Sequence, residues 1–107
     1  TFTYIARELG KRGIAFICAR EQEADDSLAP GLKQAFAGVF IANERFTKAQ
    51  ANAWLASGKA DAVAFGIPFI ANPDLPARLA EDAPLNEPQP HTFYGAGPVG
   101  YIDYPRL

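Results

Sequence analysis

The stretch that decides the fold is residues 61–79, with the sequence DAVAFGIPFIANPDLPARL. Residues 62–65 form a short apolar run, the pattern of a strand buried on both faces. Gly66 follows, a residue at which backbone can approach a ligand with no Cβ in the way. Asn72 is typical of a helix N-cap, and Pro73 of a first helical residue. Because parallel α/β folds bind ligands where a strand ends and a helix follows, this stretch predicts a binding site.

Two further apolar runs of the same kind begin near residues 14 and 39, and helix-forming segments fill the gaps between the runs. The expected helices are 2–11, 27–37 (opened by Ser27) and 48–57 (capped by Thr47), with a polar loop at 20–26. Strands and helices therefore alternate. This order predicts an α/β fold made of right-handed βα units with a parallel sheet.

The same patterns predict where several side chains lie. We expect the helix at 48–57 to bury Trp54 and Leu55, and Cys18 to lie in the core because it falls inside an apolar run. Asp74 and Arg78 have the spacing of an i,i+4 helix pair, which contributes only a few tenths of a kcal/mol.

Two long motifs carry a resemblance to a known family. Residues 65–75, FGIPFIANPDL, resemble the last barrel strand and following helix of the old yellow enzyme family, whose members are FMN-dependent ene-reductases built on a (β/α)8 barrel. TFYG at 92–95 and GYIDYP at 100–105 are similar to the family's C-terminal end. The resemblance spans the chain but only about the last third of such an enzyme. It implies that residues 1–82 are barrel strands six to eight with their helices, and that 83–107 is an extended segment over the barrel top and side.

Three strands are too few to close a barrel, which needs eight. A sheet of three strands would also leave two apolar edges that invite aggregation. The chain starts at Thr1, without a methionine, in what resembles the middle of a fold. We therefore expect a fragment or one half of a split protein, completed by a complementary chain that carries strands one to five.

The loops after the second and third strands are the candidate phosphate site. A phosphate needs converging backbone N–H donors and a cationic side chain, and in barrels the loops after strands seven and eight commonly supply them. The residues are Asn43, Glu44 and Arg45 in one loop and Gly66 and Ile67 in the other. On spacing alone, two ordinary βα loops are an equally good interpretation. The resemblance implies binding of the FMN phosphate.

One position departs from the family pattern. The family usually has an arginine facing the phosphate where this chain has Ile67, which offers only its backbone N–H. Arg45, in the neighbouring loop, is our candidate for the replacement charge. The alternative is a surface arginine paired with Glu44 or Glu21.

Phe93 and Tyr94 lie where the resemblance implies aromatic residues beside the flavin and the substrate. Phe93 would pack on the flavin ring system, and Tyr94 would present its hydroxyl to the substrate or shape the pocket entrance. The alternative is that both are core aromatics that anchor a loop.

The resemblance implies a reaction in which NAD(P)H reduces FMN and hydride then passes to the β-carbon of an activated alkene. The substrates would be α,β-unsaturated carbonyl, imide or nitro compounds. The family's catalytic residues fall on earlier strands, so we expect no catalytic residue in this chain and no activity from it alone. A non-catalytic phosphate- or flavin-binding fragment and a small flavodoxin-like domain are the alternatives.

Composition narrows the classes of partner. A net charge of −2 leaves no basic face for nucleic acid. No apolar run approaches the ~20 residues that cross a bilayer. One cysteine excludes an internal disulfide and fits a reducing compartment, so we expect a cytoplasmic protein. His91 has no second His or Cys at ligand spacing, and we expect no metal site.

Overall fold

The computed structural model describes residues 1–22 and 24–107; Glu23, in the predicted loop, lies outside the described residues. The described chain forms two compact units, Thr1–Ala64 and Phe65–Leu107.

The first unit alternates helices and strands, as the sequence predicts. Its elements are α1 (Phe2–Lys11), β1 (Phe16–Arg20), α2 (Ala29–Phe36), β2 (Val39–Asn43), α3 (Lys48–Ser57) and β3 (Ala62–Ala64). The strands form one parallel sheet in the order β1-β2-β3. Sequential parallel strands joined by helices are the repeating unit of a barrel wall, and the predicted α/β fold is confirmed.

Local chemistry explains the helix ends of this unit. Thr47 caps α3 through a capping box, in which its hydroxyl accepts from Gln50 N and the Gln50 amide accepts from Thr47 N. The start of α2 differs from the prediction, because Leu28 rather than Ser27 occupies the N-cap position. The carboxylate of Glu21 accepts from the backbone N–H groups of Leu28 and Ala29, at 2.7 and 3.0 Å. Ser27 Oγ also accepts from Ala29 N, at 3.3 Å, so Glu21 and Ser27 together cap this helix end.

The core of the first unit is aromatic. Phe36, Phe40, Phe46 and Trp54 are buried, and the Phe46 and Trp54 rings meet edge to face at 5.0 Å between centroids. The prediction for Leu55 is wrong, because its side chain is 43% exposed. Adjacent residues of a helix point about 100° apart, so Leu55 cannot share the buried face of Trp54.

Strand β1 is less buried than its apolar sequence predicts, and it begins at Phe16 rather than Ile14. Ile17 and Ala19 are half-buried, whereas Phe16, Cys18 and Arg20 are exposed. The prediction that Cys18 lies in the core is therefore wrong, because β1 is an edge strand with side chains that alternate between its two faces.

The second unit contains α4 (Ile67–Ala71), α5 (Leu75–Glu81), a 3-10 turn (Pro90–Thr92) and otherwise irregular chain. The prediction that Asn72 opens a helix is wrong: Asn72 follows the end of α4, and Asp74 is the N-cap of α5. Asn72 is fully buried instead, where its amide donates to Pro68 O and accepts from Asn86 N, each at 2.8 Å. Within residues 1–22 and 24–107, no helix is long and apolar enough to span a membrane, and no cluster of side chains has metal-ligand character.

Candidate functional site

The carboxyl ends of the three strands lie in register at one edge of the sheet. Asn43, the last residue of β2, pairs with Arg20 of β1 on one side and with Ala64 of β3 on the other. The loops that leave this edge are those in which the sequence predicts phosphate binding. Parallel strands expose their ligand-binding loops at this edge, and Asn43, Glu44 and Arg45 lie there.

The loop after β2 has an unusual backbone. Glu44 and Arg45 have φ angles of 120° and 55°, a left-handed region in which residues other than glycine are strained. Such strain is concentrated at functional sites, where consecutive backbone N–H groups can be turned toward an anion.

Charged side chains surround the same loop. Arg20 at the end of β1 donates to the Glu44 carboxylate, and Arg45 Nε lies 3.7 Å from Glu44 Oε1. The hydrogen bond from Arg20, followed by the charges of both arginines, holds the pKa of Glu44 below its usual value. Glu44 is therefore a carboxylate between two guanidinium groups, and the cluster carries a net positive charge.

Of the two acidic partners considered for Arg45, Glu44 and Glu21, the structure shows Glu44. Its ion pair is with Glu44. Glu21 accepts instead from Ser27 Oγ and from two backbone N–H groups at the start of α2. Burial raises the pKa of Glu21, but these hydrogen bonds together outweigh burial and leave that pKa below its usual value.

Gly66 and Ile67 lie in the second unit, at the start of α4. A Cβ built on Gly66 would meet no atom within 4 Å, and the φ angle of Gly66 is −93°, so neither packing nor a left-handed backbone explains a glycine here. Gly66 O accepts from the N–H groups of Phe69 and Ile70. Ile67 is the first residue of α4, and its side chain is 53% exposed.

Phe93 and Tyr94 follow the 3-10 turn of the second unit. Phe93 is half-buried and Tyr94 is 100% exposed. The interpretation of both residues as core aromatics is therefore wrong for Tyr94. A fully exposed tyrosine ring in an ordered segment leaves its whole surface available for contact.

Sequence reasoning missed Arg20 and the surroundings of Arg78. Arg20 could have been found, because it ends an apolar strand run and strand ends converge at one edge. The predicted i,i+4 pair between Asp74 and Arg78 is confirmed, since Arg78 Nε donates to Asp74 Oδ1 at 2.8 Å. The pair is buried rather than exposed, because the Arg78 and Asp74 side chains are only 6% and 14% exposed. No local sequence signal indicates that burial, because residues far along the chain provide it.

Known proteins resemble this chain along almost its whole length. It is 40% identical over 97% of its residues to 12-oxophytodienoate reductase 2 of Arabidopsis thaliana, and covers 30% of that protein. It is also 40% identical over 97% of its residues to a probable flavin mononucleotide-dependent alkene reductase of Leishmania infantum, of which it covers 29%.

Solved structures also resemble this chain along almost its whole length. The old yellow enzyme homologue from Zymomonas mobilis superposes on 99% of this chain with a TM-score of 0.93 and 40% identity, and the match covers 32% of that protein. No protein-family model matches the sequence. The chain thus spans about three tenths of the length of the curated relatives that it matches.

Proposed function

The chain belongs to the old yellow enzyme family, and from that premise we propose that it supplies strands six to eight and the C-terminal segment of an FMN-dependent ene-reductase barrel. A complementary chain carrying strands one to five would complete the barrel. The observation that carries this proposal is the in-register carboxyl edge of the β1-β2-β3 sheet, from which the loop with Glu44 and Arg45 leaves. In a (β/α)8 barrel that edge carries the active site.

The residues of this chain fit an FMN phosphate in three respects. Arg45 supplies a cation beside a strained loop. The space in front of Gly66 is open to a close backbone approach. A short extra helix, α4, directly follows the third strand, as at many barrel phosphate sites. We assign Asn43, Glu44, Arg45, Gly66 and Ile67 to the phosphate end of the flavin.

Phe93 and Tyr94 are assigned to the ring end of the flavin and to the substrate. When bound, FMN supplies the hydride chemistry, taking hydride from NAD(P)H and delivering it to the β-carbon of an α,β-unsaturated carbonyl, imide or nitro compound. Phe93 would orient the ring system by packing against it, and Tyr94 would face the acceptor with its hydroxyl. This chain would therefore bind and orient, while the residues that polarise and protonate the acceptor lie on the complementary chain.

The structural match to a solved old yellow enzyme homologue favours a barrel over a flavodoxin-like domain. The three strands of residues 1–22 and 24–64 follow one another in sequence order, as neighbouring strands of a barrel wall do. A flavodoxin-like sheet also contains a run of three such strands, so the match rather than the strand order separates the two folds.

Reconstitution tests the proposal. The chain is coexpressed with a complementary chain of the family that contains strands one to five, and the purified assembly is assayed for bound flavin and for NAD(P)H-dependent reduction of a cyclic enone. We expect a yellow assembly of two polypeptides that reduces the enone, and an inactive product from each chain alone.

The outcomes separate the alternatives. Flavin retention without turnover would favour the non-catalytic flavin-binding fragment. A colourless assembly, or a well-behaved monomer of this chain that ignores the complementary chain, would contradict the proposed function. The matched control is the same pair of chains with Gly31→Ala, a change on α2 in open space far along the chain from the proposed site.

A further inference from the structure

Arg78 joins two distant points of the C-terminal segment. Its side chain is nearly fully buried on α5. One guanidinium nitrogen donates to Pro84 O at 2.5 Å and another to Pro105 O at 2.8 Å. A single planar donor group therefore closes residues 84–105, named here the C-terminal loop, into a loop with joined ends.

Three neighbouring residues reinforce this closure. Asn86 donates through its side-chain amide to Ala71 O and to Pro105 O, each at 2.8 Å. Asn72 accepts from Asn86 N. Asp74 accepts from Arg78 and from Leu107 N, the latter at 2.8 Å. The two ends of the C-terminal loop are thus fixed to each other and to α5 by hydrogen bonds. Those of Arg78 and the bonds from Asn86 to Asn72 and Ala71 are partly buried, where such bonds are stronger than in water.

A second set of contacts holds the middle of the C-terminal loop. The hydroxyl of the buried Tyr104 accepts from Gln89 N at 2.9 Å. Gly100 has a φ angle of 72°, and a Cβ there would overlap the Thr92 side chain, so the two limbs lie in direct contact. Thr92 in turn donates to Gln89 O. The C-terminal loop therefore has three parts. The base is residues 84–86 with Pro105, the waist is the contact between Thr92 and Gly100, and the tip is residues 93–99.

The tip contains Phe93 and Tyr94, the two residues assigned above to flavin and substrate. Residues 94–99 at the tip are all exposed. The backbone hydrogen bonds of the tip are local turns, from Gly95 N to Thr92 O and from Tyr101 N and Ile102 N to Pro98 O. They do not link the tip to α5, so its position relative to α5 depends on the base and the waist. We propose that Arg78, with Asn86, is a positioning residue of the enzyme, which sets substrate affinity by fixing where the tip presents Tyr94. This inference rests on the proposed function.

Loss of the Arg78 and Asn86 contacts should weaken substrate binding more than flavin binding. The phosphate residues precede α5, whereas Arg78 and Asn86 act on the segment that follows it. Loosening the base should let the tip sample more positions and so reduce the fraction that is competent to bind substrate. FMN retention depends on the strand-end loops as well as on Phe93, so it should change much less than substrate affinity.

Two variants test the proposal. Arg78→Lys keeps the positive charge but cannot donate to both carbonyls in one plane, and Asn86→Ala removes the second link at lower risk to folding. Each is made in the full 107-residue chain, alone and assembled with the complementary chain. Arg12→Lys, at an exposed arginine on the end of α1, is the matched control.

The first measurement is chymotryptic cleavage after Tyr94 and Tyr101. We expect cleavage to be faster by roughly one order of magnitude in both variants, because loss of a charge-assisted or buried hydrogen bond shifts a local opening equilibrium by about that factor. Unchanged cleavage in both variants would overturn the claim that these residues close the C-terminal loop.

The second measurement is kinetic. We expect KM for a cyclic enone to rise severalfold, with smaller changes in kcat and in the FMN dissociation constant, a split that general destabilisation would not produce. Faster cleavage with an unchanged KM would refute the positioning role. If the parent assembly reduces no enone, the proposed function fails together with that role, while the cleavage comparison still decides whether Arg78 closes the loop.

Discussion

Replacing Arg45 with alanine is the sharpest test of the proposed phosphate site. The resemblance implies an arginine facing the phosphate at the position of Ile67, whose exposed apolar side chain adds no charge. Arg45 lies in a strained strand-end loop and is paired loosely with Glu44, at 3.7 Å. A phosphate of nearly two negative charges would compete well with one carboxylate for that guanidinium group.

The expected loss of FMN affinity is about tenfold. A charge-assisted hydrogen bond contributes roughly 1.5–3 kcal/mol, and tenfold in affinity corresponds to about 1.4 kcal/mol. The lower end applies, because the Arg45 side chain is 75% exposed and salt screens exposed charges. Glu44→Gln should act in the opposite direction and tighten FMN binding, since it removes the carboxylate that occupies Arg20 and Arg45.

The assay is a titration of apo-assembly with FMN, followed by quenching of flavin fluorescence, at low and at high salt. Ile67→Arg in the Arg45→Ala background should restore affinity. Arg12→Ala, a change of equal charge at an arginine of similar exposure, should leave it unchanged. Equal FMN affinity for Arg45→Ala and the parent at both salt concentrations would refute the idea that Arg45 supplies the missing charge.

Three further predictions concern single sites. Gly66→Val should weaken FMN binding far more than Gly66→Ala, and both variants should fold. A single Cβ has open space at this position, but a β-branched side chain would fill the approach to the phosphate. Equal FMN affinities of the two variants would show that the phosphate binds elsewhere. Tyr94→Phe should change enone turnover or stereochemistry without changing the flavin spectrum, and identical kinetics across several enones would leave Tyr94 without a substrate role. The N–H of Leu107 and then Arg78 hold the pKa of Asp74 below its usual value, so the folded carboxyl binds fewer protons than the unfolded one. The stability that Asp74 contributes is present above about pH 4 and is lost as pH falls further. When the free energy of unfolding is measured as a function of pH, it should fall less steeply in acid for Asp74→Asn than for the parent chain. An equal slope for the two chains would contradict this prediction.

The features that the sequence predicts well are those set by local pattern. The α1 and α3 helices, the parallel order of three strands and the Thr47 cap agree with the structure, because apolar periodicity and capping residues act within a few positions of the chain. The strand-end position of Asn43, Glu44 and Arg45 follows from the same patterns. Their geometry does not: the pair between Arg20 and Glu44 requires knowledge of which strands are neighbours.

The errors have a different physical origin. Asn72 followed by Pro73 and Asp74 is a good helix start by local rules. The structure uses Asn72 as a buried link to Asn86 instead, because the returning C-terminal segment offers it a backbone N–H. Arg78 is misjudged for the same reason, since its two carbonyl partners at Pro84 and Pro105 come from that segment. Tertiary hydrogen bonds override local preference where an irregular segment folds back on a helix.

Buried polar groups of the chain have their hydrogen-bond partners, whereas many large apolar side chains are exposed, and this contrast predicts how the proposed complementary chain would bind. Among residues 1–22 and 24–107, every buried side-chain nitrogen and oxygen has a hydrogen-bond partner. Large apolar side chains, by contrast, are widely exposed on both units: Phe2, Ile5, Phe16 and Leu28 in the first, Phe69, Ile70, Tyr101 and Ile102 in the second. An apolar cavity of about 450 Å³ between α1, β1 and α2 belongs to the same set of open surfaces. Association with strands one to five should therefore be driven by burial of apolar surface and by strand pairing along the two edge strands, β1 and β3, with a strongly negative heat-capacity change. Calorimetric mixing of the two chains that gave a heat-capacity change near zero would mean that these faces are not what the complementary chain covers.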